Sequence, residues 1–387
     1  DSMPQARTLH YEIIRHRLDN GVEVVVNPDP SSPAVAVNLW YHVGSADEVA
    51  GRSGFAHLFE HLMFQGSSQV PSGEHLSALQ AVGGSVNATT SFDRTNYFET
   101  LPAGAAELAL WMEADRLATL DVSQANLDNQ REVVKEEKRQ RYDNVPYGDQ
   151  LDLLLALNFP SDHPYGHTTI GSMDDLDAAS LDDVRDFFAT WYRGSNLVLT
   201  LAGAVDEQTA LDMAQRQFGG LPRLDAPARR SAAPLPPHTG VPRLEVRRAV
   251  PRDALHLGWL TPPLDHPDHL AVEQALAVLG SGPAARLHKL MVRESETAEG
   301  AGASQLALAQ GTSLTLVSGR AREGHTLDEL EAQMLGEVQR LANEGPTEVE
   351  LDRANAAYER EWLDELAQID SRADQLGALT TLQGDPN

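Results

Sequence analysis

The alternation of apolar and polar positions along the first part of the chain predicts a mixture of strands and helices. Runs that alternate or stay apolar predict strands, and Asn20-Gly21 between the first two predicts a tight hairpin. The predicted strands cover residues 11–18, 22–27, 34–43, 85–91, 95–101 and 196–205. Apolar positions at helical spacing, bounded by capping residues and glycines, predict the helices. The predicted helices cover residues 72–82, 103–119, 123–142, 147–157, 181–192 and 207–218.

A proline-rich segment separates this part from a second one. Residues 221–242 hold six prolines without the period of a helix or strand, which is typical of a linker. Beyond it, the pattern predicts strands at 243–250, 254–260, 302–308 and 313–319, and helices at 267–279, 284–294, 327–343 and 347–366. This order repeats that of the first part, although the second copy is shorter, so it lacks a final strand and helix or these are missing from this chain.

The repeat predicts an α+β protein made of two homologous α/β-sandwich domains. Each domain should be a mostly antiparallel sheet covered by helices. We place the first domain at residues 1–222, the linker at 223–242 and the second domain, incomplete at its C-terminal end, at 243–387.

Composition narrows the classes of function. The chain has 387 residues and a formal net charge of −27, and nucleic-acid binding needs clustered Lys and Arg, so we expect no nucleic-acid partner. The acidity permits basic peptides as ligands, although it also serves solubility alone. No cysteine is present, which excludes disulfides and thiol chemistry. No apolar run approaches the ~20 residues of a membrane span. No signal-like segment opens the chain at Asp1, so we expect that any targeting peptide was removed or never existed.

The stretch 51–66, GRSGFAHLFEHLMFQG, carries the clearest candidate chemistry. His57 and His61 are four residues apart, hence on one face of a helix, with Glu60 beside them. Imidazole suits zinc, and a catalytic zinc keeps one position for a water that a neighbouring carboxylate can deprotonate. Ser53 is the predicted N-cap. The alternative is an amphipathic helix on which two histidines happen to fall, so the motif needs a third ligand.

Two further histidines are also four residues apart, in HPYGH at 163–167. Pro164 and Gly166 break the helix that would align them. We interpret this segment as a structural loop, with metal binding as the lesser alternative.

A second segment contains a candidate third ligand and shows a resemblance to a known family. In the helix predicted at 123–142, Glu137 shares a face with Gln130 and lies 76 positions after the last histidine of the first motif. Together with HLFEH at 57–61, the sequence REVVKEE at 131–137 resembles the inverzincin metallopeptidases, which include pitrilysin, insulin-degrading enzyme and the mitochondrial processing peptidase.

This resemblance implies one zinc ion per chain, held by His57, His61 and Glu137. It also implies that Glu60 is the general base of a zinc-dependent endopeptidase that hydrolyses extended or unstructured peptides in an enclosed chamber. Many relatives carry a further glutamate seven residues before the third ligand. Here that position is Gln130, a neutral hydrogen-bonding residue that weakens the support of the ligands.

The strand predicted at 85–91 resembles the family strand that pairs with substrate. An extended peptide could add to its edge through backbone hydrogen bonds, and Asn87, Ala88 and Thr89 are the candidate binding residues. The alternative is an ordinary buried strand.

One part of the family pattern is missing. Members that work alone or as identical pairs carry an Arg and a Tyr seven residues apart in the second domain, which contact substrate and the developing oxyanion. In the comparable stretch 290–304, one register places Arg293 and Gly300 at these two positions, and the next places Val292 and Glu299 there. Neither register supplies both an Arg and a Tyr. The resemblance therefore implies a heterodimer, in which a homologous zinc-free subunit supplies the Arg and Tyr and the two chains form the halves of a clamshell.

Alternatives remain for function and compartment. The strongest rival is a non-catalytic structural or assembly core subunit of the same fold, and a third option is a module that binds peptides without cutting them. The complete set of candidate ligands favours the hydrolase, because nothing structural requires an open zinc site. The lack of cysteine and the resemblance to paired bacterial peptidases favour the periplasm, with the cytoplasm and the mitochondrial matrix as alternatives.

Overall fold

The computed structural model describes residues 9–387, and in this range the chain forms two β-sheets with helices packed on them. The first sheet contains β1 (Ile14–Arg17), β2 (Glu23–Pro28), β3 (Ala34–Tyr41), β4 (Ser85–Thr90), β5 (Thr95–Pro102) and β6 (Leu197–Gly203). The second sheet contains β7 (Ala254–Thr261), β8 (Ala298–Leu306) and β9 (Ser313–Ala321).

The helices follow the predicted pattern closely. In the first part they are α1 (Phe55–Leu62), α2 (Glu74–Ala81), α3 (Ala106–Thr119), α4 (Gln124–Lys138), α5 (Gln150–Asn158), α6 (Met173–Ala178), α7 (Leu181–Trp191) and α8 (Glu207–Phe218). In the second part they are α9 (His269–Gly280), α10 (Leu327–Glu344), α11 (Glu348–Ala367) and α12 (Ile369–Ala378). The helix predicted at 284–294 is present as a π-helical segment, His288–Glu294. The helices α6 and α12 were not predicted from the sequence.

The first sheet has the strand order β1-β2-β6-β3-β5-β4. All neighbours are antiparallel except β2 and β6, and the Asn20-Gly21 hairpin joins β1 to β2 as predicted. The central strands β3 and β6 are buried almost throughout, which explains their continuous apolar sequence. One face of the sheet packs under α1, α3, α7 and α8 in the main hydrophobic core. β4 is the last strand in this order and is therefore an edge strand of the sheet.

The second sheet has the order β7-β9-β8, and a smaller core lies between it and α9 and α10. The prediction of a strand at 243–250 was wrong, since these residues form no strand. In the first sheet β6 lies between β2 and β3. No strand of residues 9–387 occupies the matching place beside β7, so 243–250 has no neighbour to pair with despite its alternating sequence.

Each sheet is partly covered by a helix from the other part of the chain. The helix α12, near the end of the chain, lies on the outer face of the first sheet, where Asp374 Oδ1 accepts hydrogen bonds from Trp40 Nε1 (2.9 Å) and Asn96 Nδ2 (3.0 Å). Conversely, α5 from the first part packs on β7. Because each sheet is covered by a helix from the other part, the boundaries proposed at 1–222, 223–242 and 243–387 stay a prediction.

The linker region forms no helix or strand, but it is tied to the first part of the chain. Arg229 pairs with the buried Asp47 at 3.1 Å, and Leu235 packs in a small core with Leu155 and Tyr165. A proline-rich segment held in this way is not a free tether.

Candidate metal centre

The helix α1 is held at its N-terminus by a buried glutamate. Gly54 occupies the N-cap with φ 86°, and the backbone N–H groups of Gly54 and Ala56 donate to the carboxylate of Glu48 at 3.0 and 2.8 Å. These are donors that a helix start leaves unpaired. The predicted N-cap Ser53 was wrong, because its backbone N–H and hydroxyl both donate to Asp175.

Glu48 is in turn held by the loop that carries HPYGH. His167 Nε2 lies 2.9 Å from Glu48 Oε1, and this contact raises the pKa of His167 against the effect of burial. His163 accepts a hydrogen bond from the backbone N–H of Tyr165. Within residues 9–387, neither histidine belongs to a cluster of potential metal ligands, in line with the structural interpretation of this loop.

The structure brings His57, His61 and Glu137 together. Both histidines face α4, which packs against α1 through an apolar side that includes Leu127 and Val134. Glu137 Oε2 lies 3.4 Å from His57 Nε2 and 3.1 Å from His61 Nε2. One potential ligand atom from each of the three residues lies within 4.8 Å of the others.

This donor set fits zinc. With bonds of about 2.0–2.1 Å, ligand atoms around a tetrahedral zinc are about 3.3 Å apart, close to the distances found here. Burial, followed by the charge of His61, lowers the pKa of His57 to about 4, so its imidazole is neutral and its contact with Glu137 is not an ion pair. The hydrogen bond from His61, reinforced by the charges around it, lowers the pKa of Glu137. Neutral imidazole and ionised carboxylate are the protonation states that bind a metal.

Glu60 lies on the same helix and faces the edge strand of the first sheet. The hydroxyl of Thr90, at the end of β4, donates to Glu60 Oε2. Burial raises the pKa of Glu60 from its usual value although this hydrogen bond opposes the shift. A carboxylate that is half desolvated and oriented by one donor is suited to accept a proton. Sequence reasoning did not identify Thr90 as its partner, because the contact joins positions 30 apart.

Gln130 is the residue expected to give the ligands only weak support. The residue is buried in α4, but within residues 9–387 no hydrogen bond joins its side chain to a candidate ligand. The Nδ1 atom of His57 is also buried, and no described residue bonds to it. A metal-bound histidine commonly donates its second N–H to an acceptor, so this chain leaves one ligand less firmly oriented.

The candidate substrate residues lie on β4 as predicted for an edge strand. Asn87 is exposed, Thr89 is partly buried, and Ala88 packs its methyl group into the core. The backbone N–H of Ala88 donates to Asn87 Oδ1 at 2.9 Å. This N–H is therefore directed to the side chain of Asn87, at the open edge, and a peptide strand could compete for it.

A second cluster of potential ligands, which the sequence did not suggest, lies in the core beside α1. It consists of His75, Glu99 and Glu113, all buried. Arg116 donates to both carboxylate oxygens of Glu113, through Nε (2.8 Å) and Nη2 (2.5 Å), and its Nη1 donates to the backbone oxygen of Met63. Because the guanidinium already neutralises Glu113, this cluster is a structural ion-pair network rather than a metal site.

Comparisons with known proteins match nearly the whole chain to one family. Residues 23–169 match the family model described as "Insulinase (Peptidase family M16)", and residues 178–358 match "Peptidase M16 inactive domain". The chain belongs to peptidase family M16. His57, Glu60, His61 and Glu137 all lie in the first of these two regions.

Several M16 proteins are similar over long stretches. The zinc protease PqqE of Helicobacter pylori is 28% identical over 93% of this chain and 81% of its own length. The beta subunit of the mitochondrial-processing peptidase of Saccharomyces cerevisiae is 27% identical over 54% of this chain, but the match spans only 45% of the yeast subunit. A crystal structure of a protease from Helicobacter pylori has a TM-score of 0.90 at 27% identity, covering 97% of this chain and 90% of that one. These findings confirm the predicted family and the α+β fold class. As for membranes, no helix within residues 9–387 has both the length and the apolar composition for a transmembrane span.

Proposed function

We propose that this chain is the zinc-bearing subunit of an M16 endopeptidase that hydrolyses extended or unstructured peptides. The observation that carries the proposal is the convergence of His57, His61 and Glu137 from two helices, at separations that suit one zinc ion. Glu60 beside them supplies a base. The name "zinc protease" of the Helicobacter relative supports the same chemistry.

Individual residues of the chain have distinct roles in peptide hydrolysis. When bound, zinc polarises the scissile carbonyl and makes water more acidic. Glu60 accepts a proton from the attacking water at a carboxylate oxygen and then delivers it to the leaving amine. Thr90 holds Oε2 of Glu60, and because it ends the edge strand β4, it fixes the base relative to a peptide paired along that strand.

Metal removal tests the proposal. A chelator should abolish cleavage of an unstructured peptide, and one equivalent of zinc per chain should restore it. The fold should persist, because α1 and α4 are held by apolar packing and by Glu48 rather than by the ion. Cleavage that survives complete zinc removal, shown by elemental analysis, would contradict the assignment.

The edge strand gives a second prediction. Ala88→Pro removes the N–H that is directed to Asn87, and no β5 acceptor is deprived of its donor. We expect KM for unstructured peptides to rise about 5- to 50-fold, the loss of one or two backbone hydrogen bonds, with zinc content unchanged.

Asn87→Ala is the matched control for that variant. It frees the N–H of Ala88 from its intramolecular acceptor, so KM should stay constant or fall. An unchanged KM in Ala88→Pro, with a normal melting temperature, would show that peptides do not pair with β4.

A partner chain forms part of the proposal. Neither Val292 with Glu299 nor Arg293 with Gly300 supplies an Arg/Tyr pair, and Glu299 is bound to Arg252 at 2.9 Å. We infer that a homologous zinc-free subunit provides the pair, and that this chain alone is a poor peptidase. The periplasm is the proposed compartment, with the cytoplasm as the alternative. Co-purification from fractionated cells tests both points, and full activity of the isolated chain would refute the need for a partner.

A further inference from the structure

The helix α5 covers only part of one face of the second sheet. Nine residues of helix span about 13 Å, whereas the nine-residue strands β8 and β9 each span about 30 Å. Over the covered part, a Cβ atom at Gly258 would meet Asn158 and Leu154 of α5. Beyond the start of α5 the face is open, and a pocket of about 440 Å³ remains there.

The floor of this pocket consists of small or polar side chains from all three strands. They are Ala254, His256, Gly300, Gly302, Ser318 and Arg320. Gly300 lies directly opposite Arg320 in the sheet, and a Cβ atom at Gly300 would meet only Arg320 Nη2, at 4.0 Å. The space above these residues is therefore left open by glycine and is not filled by a neighbouring side chain.

The wall of the pocket is a tyrosine held in an uncommon backbone conformation. Tyr147 has φ 63°, a region that residues other than glycine rarely adopt. Its hydroxyl donates to the backbone oxygen of Arg252 at 2.6 Å and accepts from the backbone N–H of Arg252 at 3.2 Å. The Arg320 guanidinium lies 5.8 Å from the centre of the Tyr147 ring, which keeps it over the pocket.

The charges around the pocket favour an anion. No carboxylate lines it, and within residues 9–387 Arg320 forms no ion pair. Two acidic residues next to lining residues are already paired, Glu299 with Arg252 at 2.9 Å and Asp149 with Arg248 at 3.0 Å. Asp253 follows the same pattern of adjacency to Ala254, but its side chain is exposed and does not line the pocket. The chain has a net charge of −27, so an arginine without an ion-pair partner in a pocket without acidic residues is uncommon. Such a pocket is suited to binding a carboxylate.

We propose that this pocket binds a carboxylate of the peptide substrate, with Arg320 as its partner. The inference rests on the proposed peptidase function and adds a preference to it. From Glu137 the chain is helical as far as Asp143, which spans about 9 Å, and the four residues on to Tyr147 add at most about 14 Å. A peptide held at the metal centre can therefore reach the pocket with a carboxylate about seven residues away. Either the C-terminal carboxylate or an Asp or Glu side chain can supply this group.

Peptide binding tests the inference without requiring turnover. Fluorescence anisotropy with the full chain carrying Glu60→Gln gives Kd for three labelled unstructured peptides of about twelve residues. One has a single glutamate and a free C-terminus, the second is its C-terminal amide, and the third has glutamine in place of glutamate. Adding Arg320→Ala should weaken binding of the first peptide about tenfold, the range of a lost charge-assisted hydrogen bond. Arg320→Lys should lose less.

Two further variants separate the pocket from general effects of charge and folding. Gly300→Val fills the pocket but keeps Arg320, and it should also weaken binding about tenfold. Arg360→Ala removes a positive charge from α11, which does not line the pocket, and should leave Kd unchanged. If the effect of Arg320→Ala disappears with the C-terminal amide, the bound group is the C-terminal carboxylate. If it disappears with the glutamine peptide, the bound group is the glutamate side chain.

Specific results would overturn the inference. These are an unchanged Kd in both Arg320→Ala and Gly300→Val, equal weakening for a peptide that lacks both carboxylates, or no binding by the parent chain. Failure of the peptidase proposal is a separate result, since it would appear as absence of cleavage by the zinc-loaded chain with intact Glu60.

Discussion

Glu60→Gln is expected to lower kcat for peptide hydrolysis by about 10²–10⁴-fold while zinc remains bound. Glutamine keeps the volume of the side chain and can still bond to Thr90, but it cannot accept the proton of the attacking water. Because Glu60 is not one of the three converging ligands, one zinc per chain should still be found by elemental analysis. The activity measurement uses the chain in the presence of any partner subunit that co-purifies with it.

Glu132→Gln is the matched control for this variant. Glu132 lies on α4 near Glu137, but its side chain is exposed and only weakly paired with Lys135 at 3.6 Å. Removing this charge should change kcat less than about twofold. A Glu60→Gln chain with near-normal kcat, or equal losses in both variants, would show that Glu60 is not the base.

Glu113→Gln is expected to destabilise the fold by about 3–5 kcal/mol, because it leaves the buried guanidinium of Arg116 without its counter-ion. Arg116 is almost fully buried and packs on the rings of Phe64 and Tyr97 as well as on the end of α1. Glu99→Gln should change the free energy of unfolding by less than about 1 kcal/mol near pH 4.5, since burial raises the pKa of the Glu99 carboxyl above that pH. Urea unfolding of the two variants measures the difference, and equal losses would contradict the charge assignment.

The two glutamates should also respond oppositely to pH. Burial and then the charge of Glu113 raise the pKa of Glu99 well above 4.5, so its contribution to stability is complete below 4.5 and declines as pH rises toward the raised value. Although burial opposes its ionisation, the Arg116 charge and the hydrogen bonds from Glu99 and His75 lower the pKa of Glu113, so its contribution is lost as pH falls. Glu99→Gln should therefore gain stability relative to the parent chain as pH rises above 4.5.

Local patterns carried most of what the sequence could predict. His57, Glu60 and His61 are recognised because helix geometry alone places residues three and four apart on one face. Glu137 is different, since spacing places it on a helix face but only the family resemblance pairs it with α1. Its approach to the histidines depends on the packing of α4 against α1, which no local pattern encodes.

The errors and omissions share a non-local cause. Ser53 has the residue type of an N-cap, but Asp175 takes its hydroxyl, while Glu48, outside the helix, binds the free N–H groups. Residues 243–250 alternate like a strand, yet a strand needs a neighbour to pair with. The network of His75, Glu99 and Glu113 joins three elements, so no spacing in the sequence could have revealed it.

The most direct test of the central claim is to locate zinc in crystals of the zinc-loaded chain by anomalous diffraction at the zinc edge. We expect one strong peak per chain, about 2.0–2.1 Å from His57 Nε2, His61 Nε2 and a carboxylate oxygen of Glu137. A peak among His75, Glu99 and Glu113, or no peak near α1 despite zinc in the crystal, would contradict it.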